Sequence, residues 1–143
     1  KLQASTAKTE EKLMEDLLQS LAFLINQPIK QVNTLILIHP YVLKEFDAYL
    51  AFLEEAVELI EQTELDKFFQ LASFHPQYRF DGTDINAKQN YTNRSPFPMI
   101  HILRVDAVAD AIDRYVGDTE DIPLKNIKVF EGLSWEEIRA LYE

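Results

Sequence analysis

A chain of 143 residues, 47% of them hydrophobic and 27% charged, holds enough apolar material for one domain with its own core. Its formal charge of −10 opposes a nucleic-acid surface, and its lack of cysteine excludes disulfides, thiolate metal ligands and a cysteine nucleophile. No apolar run approaches the roughly 20 residues that span a bilayer, so the expectation is a cytoplasmic protein that meets neither nucleic acid nor membrane. The sequence opens at Lys1 with no initiator methionine and no signal-peptide pattern, so a native N-terminal segment is expected to precede it.

Residues up to about Thr9 are small and polar. Leu13, Leu17, Leu21 and Leu24 then form one apolar stripe at helical spacing, which ends near Gln27-Pro28. After Asn33 comes the run Leu35-Ile36-Leu37-Ile38-His39-Pro40, read as a buried strand ending in His-Pro. Leu43, Phe46, Leu50, Leu53, Val57 and Ile60 follow at alternating steps of three and four. Pro40 suits the first turn of that helix, and Glu54, Glu55, Glu58 and Glu61 take its wet side.

Phe68 to Phe74 gives a second strand, and it too closes on His-Pro, at His75-Pro76. Strand, helix and strand read as a βαβ unit with parallel strands, which brings His39 and His75 to one carboxyl edge, where open α/β sheets bind ligands. From Gln77 to Pro98 no period is sustained, and so long a connection is read as a binding loop. Met99 to Leu103 is a third strand containing the last of three histidines, His101. If it runs antiparallel, the loop stays at one edge and His101 enters near the other two; if parallel, the loop must cross the sheet.

Val105, Val108, Ile112 and Tyr115 mark a further helix stopped by Gly117. Asp121 with Pro123 opens another, closed by Gly132, and Ser134-Trp135-Glu136-Glu137 matches a capping box for the last. The fold class expected is α/β (α+β): one domain over 1–143, a small mixed sheet of about three strands with one βαβ unit, long flanking helices and a helical C-terminus.

The stretches Ala72-Ser73-Phe74-His75-Pro76-Gln77-Tyr78-Arg79-Phe80, Thr92-Asn93-Arg94-Ser95-Pro96-Phe97-Pro98 and His101-Ile102-Leu103-Arg104, with the earlier His39-Pro40, resemble an uncharacterised bacterial family, domain of unknown function 1415. The resemblance covers nearly the whole chain and implies candidate positions without an activity. Members usually begin with a helical segment bearing Cys-Pro-Phe and often carry Glu where Val105 stands. This sequence has neither feature, and the strand expected after that segment would be absent with it.

Two constellations could carry chemistry. Three imidazoles with an open position can hold a divalent metal that activates water, so His39, His75 and His101 are candidate metal ligands and candidate catalytic residues, with Asp81 or Asp84 as outer partners. The structural alternatives are a ring bonded to nearby backbone for His39, a loop-organising bond for His75 and a neutral core histidine for His101. The second constellation is cationic. Arg79 and Arg94 in the loop, with Tyr78, Thr92, Asn93 and Ser95, could bind an anionic small molecule, because the guanidinium fork matches carboxylate and phosphate. Arg104 lies just past the third strand. Equally, Arg94 could pair with Asp81 or Asp84 and only brace the loop.

Other motifs weigh little. Asn90-Tyr91-Thr92 fits a glycosylation pattern without a secretory context, and Ser73 and Ser95 lack a nucleophile elbow. Three glycines cannot build a P-loop or a dinucleotide fingerprint. Tyr78, Phe80, Tyr91 and Phe97 read as packing anchors. The competing readings are therefore a metal-assisted hydrolase or isomerase, a non-catalytic module for a small anion, and an interaction domain whose motif residues only hold the loop.

Overall fold

The computed structural model describes residues 1–142. Helix α1 (Glu10–Ile25) begins where Thr9 accepts a hydrogen bond from the Lys12 N–H through its hydroxyl. Leu13, Leu17, Leu21 and Leu24 lie on its inner face and are buried. Its carbonyl end is closed by a distant cation: Arg104 donates from Nη2 to Leu24 O and Gln27 O, and from Nε to Val32 O. Arg104 is thus committed to capping α1.

Strands β1 (Leu2–Ala4), β2 (Thr34–Ile38), β3 (Phe69–Phe74) and β4 (Met99–Arg104) form one sheet in the order β1-β2-β4-β3. The class is the expected mixture of helices with a mixed sheet, but the strands number four. Leu2–Ala4, too short and polar to announce itself, pairs in parallel with β2. The βαβ unit is therefore β1-α1-β2. β2 and β3 do point the same way, yet they are not neighbours, because β4 lies antiparallel between them. Hydrophobic periodicity specifies strands but not which edge a later strand occupies.

Helix α2 (Phe46–Gln62) starts six residues later than Pro40, with Glu45 as its extended N-terminal cap. Residues 40–45 form a turn instead, so Leu43 belongs to that turn and not to the helix. Tyr49, Phe52, Ala56 and Ile60 are the buried side of α2 and share one core with the leucines of α1, Leu35, Leu37, Phe69, Ile100 and Ile102. Burying each of these larger side chains contributes roughly 1.5–3 kcal/mol. Strand alternation sends Ile36, Ile38, Ala72, Phe74 and His101 to the other face.

The C-terminal quarter is held more loosely. Helices α3 (Val105–Arg114) and α4 (Asp121–Gly132) contain no buried residue, and α5 (Trp135–Ala140) contributes Ile138, behind the capping box that Ser134 and Glu137 form. Helix α4 and the α5 end are tied to the 77–98 loop by aromatic contacts of Tyr91 with Phe130, Trp135 and Tyr142. Lys88 adds a charged tie by donating to Glu131 O and Leu133 O at the carbonyl end of α4. No helix among the described residues is long and apolar enough to cross a membrane.

Candidate functional site

Because β2 and β3 each lie antiparallel to β4, both His-Pro steps emerge at the same end of the sheet. There the two rings grip one turn. The Nδ1 of His39 bonds Val42 O and the Nε2 of His75 bonds Leu43 O, each at 3.1 Å. A carbonyl can only accept, so the proton sits on Nδ1 in His39 and on Nε2 in His75. The other nitrogen of His75 accepts the Gln77 N–H at 3.0 Å, which completes its bonding.

The gripped turn is strained: Leu43 has φ of 57°, in the left-handed region that a branched side chain seldom enters, and it is buried. Tyr49 stands between the rings, 5.9 Å from His39 and 4.9 Å from His75 by ring centroids. Its hydroxyl donates to Met99 O at 2.7 Å and accepts the Phe74 N–H at 3.0 Å, joining the ends of β3 and β4. Burial pushes the Tyr49 hydroxyl pKa upward, keeping it protonated.

Both imidazoles are neutral. Burial holds the His39 pKa down at about 4, with a smaller push from His75, against the opposing bond to Val42. Burial likewise lowers His75. Each residue has 0% exposure, so neither ring reaches a solvent-borne substrate. The Nε2 of His39 is a buried acceptor with no partner among the described residues.

His101 does not join them. Its strand is antiparallel, as convergence required, but His101 lies opposite Ile36 and Ala72 in mid-strand and on the opposite face. There its Nε2 meets the Thr34 hydroxyl, which itself donates to Ile102 O at 2.8 Å. Burial lowers its pKa as well. The three rings therefore do not converge as expected: one residue of parity separates the third ring from the other two. Among the described residues no group of three histidine, aspartate or glutamate side chains is placed to hold a metal ion.

The 77–98 connection is an internally braced loop around a 3-10 helix, Lys88–Thr92. Buried Asn90 organises it, accepting from Phe80 N–H and the Thr83 hydroxyl and donating to Asp84 O. Arg94 braces it too, through Nε to Tyr78 O at 3.2 Å and Nη2 to Ile85 O at 2.6 Å. The ion pair expected with Asp81 or Asp84 does not form; carbonyls take its place. Asn93 donates to Ser73 O, Thr92 to Gln89 O and Ser95 to Phe97 O.

The anion-site candidates part company in space. Arg79 lines a cleft with Glu45, Asp47 and Gln77. Thr92 and Asn93 line a second, beside Phe74 and α4. Tyr78 packs against Phe46 and Phe80, with ring centroids 5.2 and 5.1 Å apart. Only Arg94 and Ser95 share the third cleft, of about 410 Å³, with Pro76, Tyr91, Pro96, Arg139 and Tyr142. The Arg94 guanidinium lies 4.3 Å from the Tyr91 ring centre, and the Tyr142 hydroxyl donates to Tyr91 O at 3.0 Å. No described carboxylate lies within ion-pair distance of Arg94 or Arg139.

Arg139 and Tyr142 went unseen in the sequence because each sits about 45 residues or more beyond Arg94 in a short helical end. Their three-residue spacing was the available signal, although α5 ends at Ala140 and Tyr142 lies just past it.

Comparison with curated proteins and with solved structures finds no match to this chain. The family model described as protein of unknown function (DUF1415) matches residues 1–140, in keeping with the motifs around both His-Pro steps and Thr92–Pro98, and the chain belongs to that family.

Proposed function

We propose that the protein is a binding module for a small organic carboxylate, received in the cleft of Arg94, Arg139, Tyr91, Ser95 and Tyr142. The observation that carries this reading is the meeting of two arginines, neither paired with a described carboxylate, in one cleft of a chain with a formal charge of −10. Arg94 is pre-set for the task. Its Nε and Nη2 are spent on Tyr78 O and Ile85 O, which fixes the guanidinium plane and leaves Nη1 for a ligand oxygen. Arg139 supplies the second cation. Tyrosine and proline faces wall the rest of the cleft, so they favour an anion with a flat apolar body over a bare ion. A volume of about 410 Å³ falls in the usual range of roughly 300–1,000 Å³ for small-molecule sites.

A metal-assisted hydrolase or isomerase acting through His39, His75 and His101 has less to support it, since two rings are sealed in the core and the third faces away. Benzoate is a suitable probe for the carboxylate reading. Calorimetry should show saturable binding that Arg139→Ala weakens by about tenfold or more, as expected for loss of a charged hydrogen bond worth about 1.5–3 kcal/mol. Equal affinity in the variant would overturn the proposal.

A further inference from the structure

A second cavity, of about 560 Å³, lies between the end of β3, the 77–98 loop and α4. Phe74, Phe80, Ile122, Pro123 and Ile127 make its apolar walls. Its polar lining is Gln89, Thr92, Asn93 and Asn126, and no lining side chain carries a charge. A lining with no charged partner favours a neutral occupant over a charged one. Thr92 and Asn93 are already engaged with Gln89 O and Ser73 O. The side-chain amides of Gln89 and Asn126 bond no other described residue, so each offers two N–H donors and a carbonyl.

We infer that this cavity is a second ligand site, for a neutral planar molecule bearing an amide edge. The ring of such a molecule would lie among Phe74, Phe80 and the isoleucines, while its amide exchanges N–H and C=O with both Gln89 and Asn126. The two amides come from opposite walls, the loop and α4. Occupancy therefore ties α4, which has no buried residue of its own, to the sheet.

Titration of the isotope-labelled full chain with benzamide, followed by NMR, tests this. Saturable shifts are expected at the side-chain NH₂ signals of Gln89 and Asn126 and the methyls of Ile122 and Ile127. Asn126→Asp, an isosteric change at an exposed position, should weaken benzamide several-fold, up to about tenfold, as loss of one hydrogen bond does. Signals that stay fixed at high benzamide, or an Asn126→Asp variant that binds as the parent does, would overturn the inference. Benzoate read at Arg94 and Arg139 in the same samples reports on the arginine cleft separately, so either site can fail without the other.

Discussion

His39 and His75, 36 positions apart in the chain, donate to consecutive carbonyls, those of Val42 and Leu43, and so clamp one strained turn from two strand ends. The repeated His-Pro step thus has a structural purpose. Proline stops each strand, and the preceding ring turns inward to hold the entrance of α2.

A shared turn makes the two histidines energetically coupled. His39→Ala and His75→Ala should each cost about 2–4 kcal/mol, from the cavity and the lost bond. The double variant should cost less than the sum by about 0.5–2 kcal/mol, because the turn that one ring releases no longer rewards the other. Urea midpoints of the four proteins measure this cycle, and strict additivity would show that the rings act independently.

Stability should fall in mild acid. Folded His39 takes up a second ring proton, and with it a charge, only below about 4, whereas the unfolded residue does so near 6.5. Its contribution is complete above pH 6.5 and is lost as pH falls from there to about 4, on the order of 3 kcal/mol in all. His75 and His101, also lowered, act in the same direction. His39→Asn, whose Nδ2 can still donate to Val42 O, should show a flatter decline between pH 6.5 and 5 in urea titrations. An unchanged slope in that variant would assign the acid sensitivity to other groups.

Tyr49→Phe removes one hydroxyl and leaves both Met99 O and the Phe74 N–H without it. The expected cost is about 1–3 kcal/mol, the desolvation of buried groups left unpaired. Amide exchange should quicken first at Phe74, which reads the local effect apart from the global one.

Glu64 is exposed and has φ of 56°, a conformation glycine adopts without penalty. Glu64→Gly should raise stability by up to about 1 kcal/mol, since the surface pair with Lys67 that it removes contributes little. A lowered melting temperature would contradict this.

Helix α1, the capping box at Ser134 and the three longer strands were legible because each depends on local period and local caps. β1 was not, since three residues become a strand only when β2 is beside them. The entrance of α2 was misread because Pro40 suits a first turn, yet two distant histidines hold residues 40–45 away from helical geometry. The common edge of His39 and His75 was legible, although the reason for it is β4 between their strands and not direct pairing. Arg94 was legible as a residue of interest; that its partners are carbonyls, and that Arg139 and Tyr142 complete its cleft, depends on how the loosely packed C-terminal helices fold back.

The most direct test of the account follows the arginine Nε–Hε and histidine ring signals together during a benzoate titration. Binding in the arginine cleft moves Arg94 and Arg139 and leaves the rings of His39 and His75 in their fixed neutral tautomers. Movement of the histidine rings, with the two arginines unaffected, would place the site at the His-Pro rim and contradict the account.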